Sequence, residues 1–147
     1  MNEEKRNPYA PPKAVVAEVE STIARPPAVN TAMKLLWVSF ALTFVEVALD
    51  WEGSVAGDAR TFLIFASLGI AITLWLYLKI RVGRNWARIT YLVLTVISGP
   101  FVFIELPEIA QRAPIAAGLT LIDLFLVLYA LYLLFFPGRE WFRARSE

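Results

Sequence analysis

Four long apolar runs, joined by short polar connections, follow a polar stretch at residues 1–31, and a short basic end closes the chain at residues 139–147. The runs cover residues 32–51, 60–80, 86–105 and 114–136. An α-helix needs about 20 mostly apolar residues to cross about 30 Å of hydrocarbon. A soluble helix keeps a polar face, and the second and fourth runs have none wide enough. Membrane-barrel strands alternate over about ten residues, which is far shorter than these runs. The pattern predicts an all-α membrane protein: four transmembrane helices in a compact antiparallel bundle. The first run is the weakest, because Glu46 interrupts it and Lys34 and Asp50 bound it. The third reaches full length only with Trp86 and Arg88 counted as interfacial.

Composition removes several function classes. Of 147 residues, 58% are hydrophobic and 18% charged, with a mean hydropathy of +0.57; soluble domains carry about 25% charged residues. The chain has no cysteine and no histidine, so disulfides, Cys/His zinc sites, thiol nucleophiles and imidazole bases are excluded. A net charge of +1 gives no field to attract nucleic acid. Phosphate-cradling glycine loops and the Gly-x-Ser-x-Gly elbow are missing, and Asp123 is the single aspartate inside a span. No enzymatic activity, metal or cofactor is expected.

Charge distribution predicts orientation. Twelve of the fourteen basic residues fall in the N-terminal stretch with Lys34, the second connection and the C-terminal end, leaving Arg60 and Arg112 on the other side. The positive-inside rule then places both termini in the cytoplasm. Residues 1–31 contain Pro8, Pro11, Pro12, Pro26 and Pro27, and residues 14–23 are too short for an independent helix. A disordered cytoplasmic tail is expected. No apolar run precedes residue 32, so the first span is expected to serve as an uncleaved anchor.

The pattern Gly-Arg-x-Trp-x-Arg occurs twice, at Gly83-Arg84-Asn85-Trp86-Ala87-Arg88 and Gly138-Arg139-Glu140-Trp141-Phe142-Arg143. Glycine ends a helix, tryptophan lies at the headgroup level, and arginine reaches phosphates. Arg84, Trp86, Arg88, Arg139, Trp141 and Arg143 are expected as interfacial anchors, while Trp75 lies too deep for that belt and is expected to pack. Together with the tail motif Asn7-Pro-Tyr-Ala-Pro-Pro12 and the ending Pro137-Gly-Arg-Glu-Trp-Phe142, the Gly83–Arg88 block resembles uncharacterised four-helix inner-membrane proteins of Gram-negative bacteria. The resemblance implies a multi-pass bacterial inner-membrane protein and carries no activity with it.

Candidate chemistry sits inside the spans. A carboxylate at the bilayer centre costs about 2.5–3.5 kcal/mol, so it faces a bundle interior or water. Glu46 lies about 18 Å along its helix from Lys34, and Asp123 about 13 Å from Pro114, which puts the two at similar depth. Ser39, Thr43, Glu46 and Asp50 form one stripe; Thr120 joins Asp123; Tyr91, Thr95 and Ser98 share a face; Ala66, Gly69 and Thr73 make a small-residue stripe. Such stripes are expected to be the seam between helices. Glu46, Asp123, Thr43, Ser98 and Thr120 are alternatively a proton or cation site. Gly99-Pro100 is expected to kink the third helix, and Glu105 and Glu108 to be solvated loop charges. Two functions follow: a non-enzymatic accessory or interaction module, or a small proton- or cation-coupled transporter subunit using Glu46 and Asp123. Expected partners are membrane lipids, a protein met through the tail, and a second copy of the chain.

Overall fold

A computed structural model describes residues 25–55 and 58–144. The expected disordered tail lies, for residues 1–24, outside the described residues. Among the described residues the chain is helical with no strand: α1 (Pro27–Leu49), α2 (Trp51–Ser54), α3 (Ala59–Arg81), α4 (Asn85–Arg112), α5 (Pro114–Phe135) and α6 (Arg139–Ala144). The four long helices α1, α3, α4 and α5 are each long and apolar enough to cross a membrane.

Helix ends follow local chemistry. α1 begins five residues before the first apolar run, because Pro27 presets the backbone of a first turn in which its missing N–H is not needed. Asp58 caps α3, accepting from the Arg60 and Thr61 amides and from the Thr61 hydroxyl. At the other end of α3, Gly83 takes φ 89°. The Gly83 and Arg84 amides there donate back to the carbonyls of Ile80 and Lys79, at 2.9 and 3.0 Å.

α4 is 28 residues long and runs unbroken through Pro100 and Pro107, so the proline expected to kink it does not end it. Each proline removes one backbone donor. With no water in the hydrocarbon, however, the remaining amides have no better partner than their own helix. Glu105 and Glu108 consequently lie on α4 and not in a loop, and a single residue, Ala113, joins α4 to α5.

Going round the bundle, α1 packs most closely on α5, α5 less closely on α4, α4 less again on α3, and α3 only thinly on α1. Burial is uneven along the helices as well. The core comprises Val29, Ala32, Met33 and Leu36 of α1, Leu76, Tyr77 and Ile80 of α3, Ala87 of α4, Ala130, Leu133 and Leu134 of α5, and Trp141 and Phe142 of α6. All of these lie toward the end that carries the basic connections. No residue of α3 before Leu76, and none of α4 after Arg88, is buried. The bundle is tight at its basic end, and α3 and α4 stand off from α1 and α5 toward the other.

Candidate functional site

The standing-off of α3 and α4 leaves a cavity of about 720 Å³ among the four spans. Its lining contains every polar stripe of the sequence: Ser39, Thr43 and Glu46 from α1, Ala66, Gly69 and Thr73 from α3, Tyr91, Thr95 and Ser98 from α4, and Thr120 and Asp123 from α5. The expectation that these stripes are packed seams is corrected for α3. A Cβ added at Gly69 would meet nothing within 4 Å. The small residues of α3 make room and do not make contact, because α3 barely reaches α1. Asp50, the last member of the α1 stripe, lies outside the cavity lining and pairs with Arg112 at 3.2 Å.

Glu46 and Asp123 come together in the lining of this one cavity, as their matching depths suggested. The Thr120 hydroxyl lies 3.1 Å from Glu46 Oε2 and 3.0 Å from the Ala116 carbonyl oxygen. One hydroxyl proton faces two acceptors. Both are satisfied when Glu46 itself carries a proton, donates it to the Thr120 oxygen, and leaves the Thr120 proton for Ala116. Glu46 Oε1 and Asp123 Oδ1 are buried and have no hydrogen-bond partner among the described residues. The buried Ser39 hydroxyl of α1 lines the same cavity as Asp123 of α5. The Thr43 hydroxyl donates to the Ser39 carbonyl, and Ser98 to Thr95, so neither adds a donor to the pair. No Lys or Arg lines the cavity. Two carboxyls in a low-dielectric wall with no cation beside them make a candidate proton or cation site.

Beside the pair, the hydroxyls of Tyr77 and Tyr91 meet at 3.2 Å. Sequence reasoning left Tyr77 out. The signal was present, since Tyr77 and Tyr91 each stand seven residues from Arg84, at the turn joining α3 and α4, and so lie at equal depth.

The interfacial anchors divide. Trp86, Arg84, Arg139 and Arg143 are exposed. Trp141 is 3% exposed and Arg88 7% exposed, against expectation. α6 folds back on the bundle, with the Arg25 guanidinium over the Trp141 ring at 5.8 Å. Gly138 makes that return possible, because a Cβ there would sit 3.0 Å from Val29 Cγ2 and from the Leu133 carbonyl. Trp75, expected to pack, is 50% exposed. At about 100° per residue it points away from buried Tyr77, two positions on. It stacks obliquely on Trp86, centroids 5.0 Å apart.

Among the described residues no cluster of potential metal ligands is present. Comparison with family models, with curated proteins and with solved structures finds no match. The chain is, on its own fold, a multi-pass membrane protein built on four apolar helices.

Proposed function

We propose that the protein is a small proton- or cation-coupled transporter subunit of the bacterial inner membrane, with both termini cytoplasmic, and that Glu46 and Asp123 are its coupling site. One observation carries this reading. Two carboxyls from different helices share the wall of an intramembrane cavity, with the Thr120 hydroxyl in hydrogen-bond reach of Glu46 Oε2. A static bundle gains nothing from that arrangement, since apolar residues at both positions would remove the cost of burying the carboxyls. Support for the orientation is the basic bias at one end of the bundle. The protein is non-enzymatic on this reading: the cavity binds and releases.

The test is flux. Reconstituted in liposomes under an imposed pH gradient, the protein should pass protons or exchange them for a small cation. Glu46→Gln and Asp123→Asn should each abolish this while eluting as the intact fold. Flux in both variants equal to the parent protein's removes the coupling role.

A second reading, an accessory module that docks a protein partner, is favoured by one feature. Phe125, Tyr129, Tyr132 and Phe136 form an exposed, stacked row along α5, with successive centroids 6.3, 6.3 and 5.1 Å apart. That reading makes the carboxyl pair silent, so the flux experiment separates the two.

A further inference from the structure

The second arginine of the first repeat has an unusual setting. Arg88 is 7% exposed, and no carboxylate pairs with it among the described residues. Its Nε donates to Asn85 Oδ1 at 2.7 Å and its Nη1 to the Leu134 carbonyl at 2.8 Å. The guanidinium packs on the rings of Phe135 and Phe142, at 4.9 and 4.5 Å from their centroids. Of five N–H donors, these bonds use two. No anion offsets its positive charge among the described residues, and Arg139 lines the same cleft. Arg139 likewise has no ion pair among the described residues. Arg139 is solvated, but Arg88 is held out of water with no anion beside it, and a negative charge between the two would meet both.

The surroundings say what that is. Arg88 and Arg139 stand at the top of a cleft of about 550 Å³ between α4 and α5. The rest of its lining is apolar and aromatic, including Leu92, Leu128, Leu131 and Phe136. Between Leu128 and Phe136 the wall is about 12 Å long at 1.5 Å per residue. Arg88 lies in the first turn of α4 and Arg139 just beyond α5, the level at which a span meets headgroups. A paired cationic head above an apolar trough at that level complements a phosphate ester above a hydrocarbon chain.

We infer that the α4–α5 cleft binds one anionic phospholipid, its phosphate held between Arg88 and Arg139 and an acyl chain lying along Leu92, Leu128 and Leu131. The site stands apart from the carboxyl cavity, and its existence does not depend on the transport reading.

The test uses the full chain in detergent micelles, with phosphatidylglycerol and phosphatidylcholine of identical acyl chains as probes and retained lipid counted by native mass spectrometry. The parent protein should keep one phosphatidylglycerol in clear preference to phosphatidylcholine. Arg139→Gln, an exposed position whose loss leaves the fold intact, should cut that preference about fivefold, the weight of one arginine against an anionic lipid. Arg84→Gln removes an exposed arginine outside the cleft and should leave it unchanged. Arg88→Gln should abolish retention; where it fails to fold, Arg139→Gln decides. Equal retention of the two lipids by the parent protein overturns the site. So does an Arg139→Gln protein that behaves as the parent, or an Arg84→Gln loss as large as that of Arg139→Gln. Displacement of the lipid by millimolar inorganic phosphate shows recognition of free phosphate alone and overturns the lipid assignment.

Discussion

The two ends of the bundle are built from the same kinds of helix and differ in what fills the space between them. At the basic end, Leu36, Leu76, Tyr77, Ile80, Leu134 and Phe142 are sealed from solvent. Toward the other end the same helices enclose a cavity in which Ser, Thr, Ala and Gly interrupt a lining of Phe, Leu, Ile and Val. One end is closed by side chains that meet, and at the other α3 stands off from α1. The two carboxyls stand on α1 and α5, the most closely packed pair, on the side that faces the gap left by α3 and α4. The two copies of Gly-Arg-x-Trp-x-Arg show how context sets a residue's job. In the first, the tryptophan is exposed and the second arginine buried; in the second, the tryptophan is buried and both arginines exposed. Even the glycines differ: Gly83 is needed for its φ of 89°, Gly138 for the close approach of Val29.

The largest expected difference between the two ends is in stability. Phe142→Ala empties a fully buried ring from the basic end and should cost about 3–5 kcal/mol. Phe44→Ala, in the cavity lining and 50% exposed, should cost well under half of that. Unfolding in mixed micelles by increasing denaturing detergent reads both, and equal losses would mean that the ends are equally packed.

Glycine substitutions sharpen the same contrast. Gly83→Ala forces a left-handed conformation and should destabilise by about 1–2 kcal/mol. Gly69→Ala enters open space in a helix and should stabilise by about 0.5–1 kcal/mol. A loss at Gly69 would show that α3 closes on α1 in the membrane. Smaller again is Gly53→Ala, whose added methyl would run into Asp50 and Arg112. It should break their 3.2 Å pair for less than about 1 kcal/mol, as expected for an exposed ion pair. An Asp50→Asn background should then make the substitution neutral.

The smallest effect is local to the start of α3. The Thr61 hydroxyl, with the Arg60 and Thr61 amides, holds the Asp58 carboxyl below the usual carboxylate range. A lowered folded-state value means that the cap is fully effective above the unfolded pKa of about 4 and is lost as pH falls through the folded value. Amide exchange at Arg60 and Thr61 should accelerate in that acid window and nowhere above it, and Asp58→Ala should remove the step.

Much of this was legible in the sequence. Twenty-residue apolar runs leave a chain in hydrocarbon no option but helix, and equal depth plus helical phase brought Glu46 to Asp123. Pairwise packing was not legible. Whether Ala66, Gly69 and Thr73 touch a neighbour or face a void depends on how far α3 leans from α1, which no residue of α3 encodes alone. Arg88 and Trp141 were misplaced for a related reason. An amphipathic side chain at a helix end takes either water or core, according to what it meets; α6 returns from beyond the last span, laying Phe142 on Arg88 and burying its own Trp141.

The carboxyl pair itself is best examined by infrared spectroscopy of the protein in lipid nanodiscs, following protonated-carboxyl bands between about pH 4 and 9. A proton-binding site predicts a band that disappears in Glu46→Gln, shifts in Thr120→Val, and changes reversibly with pH as Asp123 and Glu46 exchange a proton with water. Bands that stay constant across the whole range, in the parent protein and in Asp123→Asn alike, would make the pair a fixed hydrogen-bonded strut and contradict a coupling role.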